Sequence, residues 1–308
     1  MREVAVLLAT YNGEKYIEEQ LKSILDQDFK NFTLFIRDDG SNDGTLDILS
    51  KYLNEDKRIK LISDEHSNTG QLRNFSALMD YATKYSYVFF SDQDDIWNEN
   101  KISVSLSELK KKENISQGPL LLFTNYKNFF SDSNEEVQVY NDKNKFYTKN
   151  LFVQNWIMGC TVVINQELLI ASLNIPQNAE NHDNWIANVA ATVGKVHYTD
   201  VVTMKHRIHE NNVTTRIGYR EKRLDFVKKY YKNRYIYLNR RMGVLDELNK
   251  RFYDNHLYTN NKGFKEYRIL MEKYGKSAVF YSWIKKFKGF SKKQTLLFYM
   301  ILMSKKKS

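Results

Sequence analysis

Tyr87-Val88-Phe89-Phe90-Ser91-Asp92-Gln93-Asp94-Asp95 is the stretch on which the fold turns. Its apolar half reads as a strand buried on both faces, and the run stops at three carboxylates within four positions. Carboxylates so close together resist being ionised at once unless a positive charge compensates. A hard divalent metal bridging a phosphorylated ligand would supply that charge through oxygen ligands. The plainer alternative is a solvated acidic turn.

Three strand–helix units precede this stretch. Residues 4–9 (Val-Ala-Val-Leu-Leu-Ala) form a short apolar run that ends at a polar turn. Ile17, Leu21, Ile24 and Leu25 then recur at helical spacing within residues 14–27. Strands are predicted over 32–36 and 59–62, a short helix over 45–52, and a helix over 71–83 with Leu72, Phe75, Leu78 and Met79 on one side. Strand and helix alternating four times imply a parallel sheet covered on both faces. Such sheets bind ligands beyond the carboxyl ends of their strands. Those ends carry Thr10-Tyr11-Asn12, Asp38-Asp39 and Asp92-Gln93-Asp94-Asp95, three polar clusters expected on one rim.

Beyond residue 100 the alternation loosens. The pattern predicts a helix over 102–112, a strand over 120–125, a loop over 131–149, a strand over 160–164 and a helix over 183–192. One or two edge strands are expected in 196–209, and long helices from Tyr219 onward. Only Pro119 and Pro176 occur in the chain, so no proline interrupts those helices.

Composition narrows the function. Of 308 residues, 42% are apolar, enough for a substantial core, yet no stretch approaches the roughly 20 apolar residues of a membrane span. The opening residues lack the features of a secretory signal, and the lone Cys160 excludes a disulfide framework and Cys-based zinc sites. A cytoplasmic protein is therefore expected. There is no Gly-x-Gly-x-x-Gly after the first strand and no phosphate loop, which excludes the usual dinucleotide and P-loop sites. Asp39-x-Ser41-x-Asp43-Gly44 begins like a calcium loop, but Ser50 stands where a bidentate Glu is required.

Ala9-Thr10-Tyr11-Asn12, Asp38-Asp39-Gly40-Ser41-x-Asp43-Gly44-Thr45 and Asp92-Gln93-Asp94-Asp95 together resemble family 2 glycosyltransferases of the GT-A fold, in the family's order and spacing, over about residues 3–215. Phe90 to Trp97, Gly159 and His182-Asp183-x-Trp185 are similar, more loosely, to the bacterial rhamnosyltransferase branch. The resemblance implies an α/β GT-A fold: a mixed, mainly parallel sheet with helices on both faces and a C-terminal helical extension. Residues 1–215 would be catalytic, with a nucleotide-sugar half to about residue 100 and an acceptor half from 101, and 216–308 would be the extension.

The same resemblance implies roles. Thr10, Tyr11, Asn12, Asp38, Asp39, Arg73, Asp92 and Gln93 would hold the nucleotide-sugar, Asp39 taking the pyrimidine and Asp92 approaching the ribose. Asp94 would bind Mg²⁺ or Mn²⁺ bridging the donor's two phosphates, and His209 would reach the metal or diphosphate from the same face as Arg207. Asp183 would be the general base, His182 standing where many relatives carry Glu; a helix-capping carboxylate is the alternative. Asp95, Trp156, Gly159, His182, Trp185 and Arg207 would lie on the acceptor or sugar side, with a core role equally open to both tryptophans. The implied activity is inverting transfer from a nucleoside-diphosphate sugar to a lipid-linked glycan or growing surface polysaccharide. L-rhamnose from dTDP-rhamnose is the favoured donor, and a UDP-hexose or UDP-N-acetylhexosamine the alternative. A non-catalytic nucleotide- or glycan-binding subunit is the rival from another class.

Charge is unevenly distributed. Residues 216–308 hold 25 Lys/Arg against 7 Asp/Glu, whereas residues 1–215 hold 22 against 30. The basic part also carries 11 of the 21 tyrosines, so it is not simply a polybasic tail. Its clusters include Lys228-Lys229-Tyr230-Tyr231, Arg240-Arg241 and Trp283 to Lys288. The apolar run Leu296 to Met303, followed by three lysines, is too short to cross a bilayer. It suits either an anionic membrane surface, giving a peripheral protein at the inner face of the cell membrane, or packing on the catalytic domain. Nucleic acid is not expected, since no recognition motif accompanies the charge.

Overall fold

The computed structural model describes residues 3–64, 67–131, 133–140, 146–209, 232–255, 261–289 and 291–305. The tyrosine–lysine cluster at 228–231 lies outside them. The first half follows the expected alternation: β1 (Val4–Thr10), α1 (Ile17–Leu25), β2 (Phe32–Asp38), α2 (Thr45–Glu55), β3 (Ile59–Ile62), α3 (Gln71–Tyr81) and β4 (Tyr87–Ser91). Then come β5 (Ile96–Trp97), α4 (Lys101–Glu113), β6 (Leu120–Phe130), β7 (Glu135–Gln138), β8 (Val162–Asn165), α5 (Gln166–Ser172), α6 (His182–Val193) and β9 (Lys195–Ile208). Among the described residues four further helices follow: α7 (Arg234–Leu248), α8 (Lys262–Glu272), α9 (Gly275–Ile284) and α10 (Lys292–Ser304).

Among the described residues one mixed sheet runs β3-β2-β1-β4-β8-β6-β9-β5, with β7 paired to β6. β1 is parallel to β2 and β4, and β2 to β3. β8 is antiparallel to β4 and β6, while β9 is parallel to β6. β2 and β3 leave β1 on one side and β4 on the other, so the chain switches direction across the sheet between β1 and β4. The crevice beyond their carboxyl ends is the place where open α/β sheets take ligands.

The second half departs from expectation in an instructive way. β9 is not an edge strand but a 14-residue interior one, flanked by β6 and β5. β5 has only two residues, too few to show periodicity, and it pairs antiparallel through Ile96↔Lys205 and Trp97↔Met204. That pairing draws the end of the acidic run against His206. The stretch expected as a loop contributes β7 and a 3-10 turn over Thr148–Phe152.

The C-terminal helices share the apolar core of the sheet. Phe264, Phe298, Ile301 and Leu248 are fully or almost fully buried in the same apolar cluster as β1 and β4. Each such side chain contributes roughly 1.5–3 kcal/mol by leaving water. Asn261 caps α8 by accepting from Gly263 N and Phe264 N, and its amide donates to Ala191 O in α6 at 2.6 Å. Gly243 in α7 packs so closely on Asn178 that a Cβ there would stand 1.7 Å from Nδ2.

Candidate active site

A cavity of about 1340 Å³ opens over the carboxyl ends of β1 and β4 and extends to the C-terminal helices. Thr10, Tyr11, Asn12, Asp39, Asp92, Gln93, Asp94, Trp156, Gly159, His182, Asp183 and His209 all line it. Segments distant in sequence thus converge on one concave surface.

The loops after β1, β2 and β4 are clamped together. Gln93 Oε1 accepts from Tyr11 N at 2.8 Å and its Nε2 donates to Tyr11 O at 2.9 Å. Gly13 makes room for this, since a Cβ there would meet Gln93 Oε1 at 2.4 Å. Asn12, at φ 48°, donates its N–H to Ser41 Oγ and accepts from Asn42 N. Asp39 accepts from Thr69 N, Thr69 Oγ1 and Gly70 N at 2.7–3.0 Å and from buried Arg37 at 3.3 Å. Burial raises the Asp39 carboxyl, but these donors outweigh it and hold the group below its ordinary value.

The acidic run divides its work. Gln71 Nε2 donates to Asp92 Oδ1 at 3.0 Å. Burial, then the charges of Asp95 and Asp94, push the Asp92 carboxyl up to about 8. Asp94 Oδ2 lies 2.9 Å from His209 Nε2, so the two residues expected at a metal do meet. Asp95 turns the other way. It is fully buried outside the cavity lining, and its Oδ1 pairs with His206 Nδ1 at 2.8 Å. Burial depresses the His206 imidazolium, but Asp95, Asp94 and Asp92 more than reverse this and favour its charged form.

Two acidic sets therefore compete for a cation. Asp95, Cys160 and His206 place their ligand atoms within 4.8 Å of one another, all buried. Burial and Asp95 push the Cys160 thiol well up, leaving it protonated, and His206 already neutralises Asp95. The Asp94–His209 pair and Asp92 face the cavity and offer mainly oxygen, and the two carboxylates repel each other. This second set fits Mg²⁺ or Mn²⁺.

Asp183 sits in the first turn of α6. Its Oδ1 accepts from Asn184 N at 2.6 Å and its Oδ2 from Gly159 N at 3.2 Å. Burial pushes the carboxyl up to about 6 against these two N–H groups. Beside it, His182 stacks on Phe75 with ring centroids 3.8 Å apart, and among the described residues neither ring nitrogen has a hydrogen-bond partner. Desolvation lowers His182 to about 3, so the ring is neutral.

Five expected site residues stand outside the cavity lining. Trp185 is wholly buried, its Nε1 donating to Ser172 O at 2.9 Å, so it is a core residue with no face for a sugar. Asp95 is the buried partner of His206 just described. Arg207 is turned behind the acidic run, where its Nε donates to Asp94 O at 3.0 Å and its far end pairs with Glu19. Asp38 spends its carboxylate on Thr10 Oγ1, Gly40 N and Ser41, shaping the turn. Arg73 lies on the exposed side of α3.

Other residues were not foreseen. Period-2 spacing sets His209 and Arg207 on one face and His206 on the other, and only the β5–β9 pairing shows the link of His206 to Asp95. Asn181, Asn184 and Asn188 recur at helical spacing along the cavity side of α6, a pattern visible in the sequence. Tyr237, Arg240, Arg241 and Val244 of α7 also line the cavity, and only tertiary packing brings them there.

The model for glycosyl transferase family 2 matches residues 5–166, more than half of the chain. The chain belongs to glycosyltransferase family 2. This family 2 protein is 32% identical over 243 residues to the dTDP-rhamnosyl transferase RfbG of Shigella flexneri, spanning 73% of this chain and 81% of that one. It is 25% identical over 216 residues to the UDP-Glc:alpha-D-GlcNAc-diphosphoundecaprenol beta-1,3-glucosyltransferase WfgD of Escherichia coli, spanning 69% and 79%. In fold it is like the mannosyltransferase PcManGT of Pyrobaculum calidifontis, solved with GDP-Man and Mn²⁺, at a TM-score of 0.54 and 13% identity over 96% of this chain and 78% of that one. The mixed, mainly parallel sheet with C-terminal helices is the GT-A architecture.

Proposed function

We propose that this family 2 protein is an inverting, metal-dependent glycosyltransferase of polysaccharide assembly. It takes a sugar from a nucleoside diphosphate, with dTDP-L-rhamnose the favoured donor, and passes it to a lipid-linked or growing glycan. The observation that carries this is the convergence of Asp92, Asp94, His209 and Asp183 on one cavity at the switch between β1 and β4. The likeness to RfbG supports rhamnose, and the diphosphoundecaprenol in the name of WfgD supports a lipid-linked acceptor. WfgD also keeps UDP-glucose as the alternative donor.

Tyr11, Asp39 and Gly70 frame the nucleotide end of the cavity, where Asp39 keeps Thr69 and Gly70 in place. Asp94 and His209, with Asp92 beside them, would hold the metal, and a divalent cation bound there would offset the charge that gathers on the departing diphosphate. Asp183 takes the proton from the acceptor hydroxyl. The freed oxygen lone pair forms the new bond to the anomeric carbon, and the old carbon–oxygen bond breaks with its electron pair leaving on the nucleoside diphosphate. Attack from the face opposite the leaving group inverts the anomeric centre. The α7 and α10 wall, with Tyr237, Arg240 and Leu297, then frames the acceptor end.

A donor panel tests this: nucleotide release from dTDP-rhamnose, UDP-glucose, UDP-galactose and UDP-N-acetylhexosamines, with and without Mn²⁺. The expected result is Mn²⁺-dependent release, fastest from dTDP-rhamnose. Fastest release from a UDP-sugar shifts the donor to the alternative, and donor binding without release for any sugar and acceptor means a non-catalytic subunit.

A further inference from the structure

Helix α10 has two unlike faces. Gln294, Leu297 and Phe298 turn inward and line the catalytic cavity, with Ile301 buried beside them. Lys292, Lys293, Leu296 and Met303 fall on the opposite side of the helix, and Leu296 is 60% exposed. α9 packs against α10 and is divided in the same way. Ala278 and Ser282 are fully buried, whereas Lys276, Phe280, Trp283 and Ile284 form an outward stripe at i, i+4, i+7 and i+8. Phe280 and Trp283 are 62% and 67% exposed and stack on each other, with centroids 6.2 Å apart.

Single exposed apolar residues are ordinary, but a cluster of five large ones on two adjoining helices is a binding surface. Its charge identifies the occupant. From Lys273 to Ser308 the chain has ten lysines and no Asp, Glu or Arg. Lys276, Lys286, Lys288, Lys292 and Lys293 are exposed around the apolar stripe. A second copy of the chain would bring two surfaces of the same sign together. An anionic lipid interface takes both components, apolar side chains below the headgroups and lysines among them. α9 and α10 have 10 and 13 residues, too short to cross, where roughly 20 are needed.

We infer that the outer face of α9 and α10 docks on an anionic lipid bilayer. α10 is then the wall between lipid and catalytic cavity, and the cavity opens beside the headgroups, where a lipid-anchored sugar is presented. The surface follows from the two helices alone; its link to catalysis rests on the transferase assignment above.

The test is sedimentation of the full chain with vesicles of phosphatidylcholine, alone or with added phosphatidylglycerol. The wild type should pellet with the anionic vesicles only, and less as salt is raised. Trp283→Ser combined with Leu296→Ser should weaken that binding by about tenfold or more, while transfer to a water-soluble acceptor stays at the wild-type rate and reports an intact fold. No binding to anionic vesicles, or binding indifferent to both substitutions, overturns the inference. So does a dimer in sedimentation velocity that the double variant dissociates, because the face would then be covered by a second copy. Vesicle binding without any sugar transfer leaves the docking surface standing and defeats only the transferase mechanism.

Discussion

The backbone N–H of Gly159 donates to Asp183 Oδ2 at 3.2 Å, across the cavity floor from one chain segment to another. The same glycine borders His182: a Cβ at 159 would stand 2.6 Å from its Nε2 and 3.4 Å from Asp183 Cβ. His182 has no easy retreat, being wedged on Phe75. Gly159→Ala should therefore displace the His182–Asp183 pair and lower turnover on the order of tenfold to a hundredfold, with donor affinity unchanged. Steady-state kinetics with separate donor and acceptor titrations check this.

The pH profile follows from Asp183. A base must be ionised to take a proton, and burial, with Glu180 nearby, lifts this carboxyl to about 6 while the N–H groups of Asn184 and Gly159 oppose the rise. At saturating Mn²⁺, which would keep Asp92 ionised, the rate should fall as pH drops through about 6, approaching tenfold per unit. His182, neutral throughout this range, adds no second limb. A rate unchanged down to about pH 5 contradicts the assignment.

Asp94 and His209 predict the metal response. Asp94→Asn should remove Mn²⁺-dependent turnover while leaving the thermal unfolding of the apoprotein close to wild type. His209→Gln should raise the Mn²⁺ concentration needed for half-maximal rate. Titrating Mn²⁺ against nucleotide release reads both outcomes, and wild-type Mn²⁺ dependence in Asp94→Asn removes Asp94 from the metal site.

The two tryptophans should separate cleanly. Trp185→Phe loses core volume and the hydrogen bond to Ser172 O, costing about 1–3 kcal/mol of stability with acceptor KM unaltered. Trp156→Ala, at the cavity wall, should instead raise acceptor KM. Denaturant melts alongside acceptor titrations distinguish the two.

Arg240 is exposed on the α7 side of the cavity. Arg240→Gln should raise KM for an acceptor bearing a diphosphate and spare an uncharged acceptor, since only the former gains from a guanidinium. Equal effects on both acceptors would give Arg240 a structural role instead.

The four-fold alternation from Val4 to Ser91 was readable because each buried run ends abruptly at polar residues, and those ends formed the rim as expected. The family resemblance names Asp94, His209 and Asp183 together through their residue types and order, and all three line the cavity. Asp95 turns away from the cavity and Trp185 takes its core alternative for a shared reason: chain adjacency to cavity residues says nothing about which way a side chain points. Asp95 begins the turn into two-residue β5, which aims it at buried His206. Trp185 sits two positions beyond Asp183 on a helix, about 200° around, which points it into the core. The α7 wall was invisible because it depends on tertiary contacts such as Gly243 against Asn178.

The most direct measurement is donor affinity and turnover of Asp183→Asn, side by side with the wild type. Calorimetry should find nucleotide-sugar binding intact in the presence of Mn²⁺, while turnover falls by a factor on the order of 10²–10⁴. Turnover at the wild-type rate, with binding intact, would contradict the central claim that this carboxylate takes the acceptor's proton.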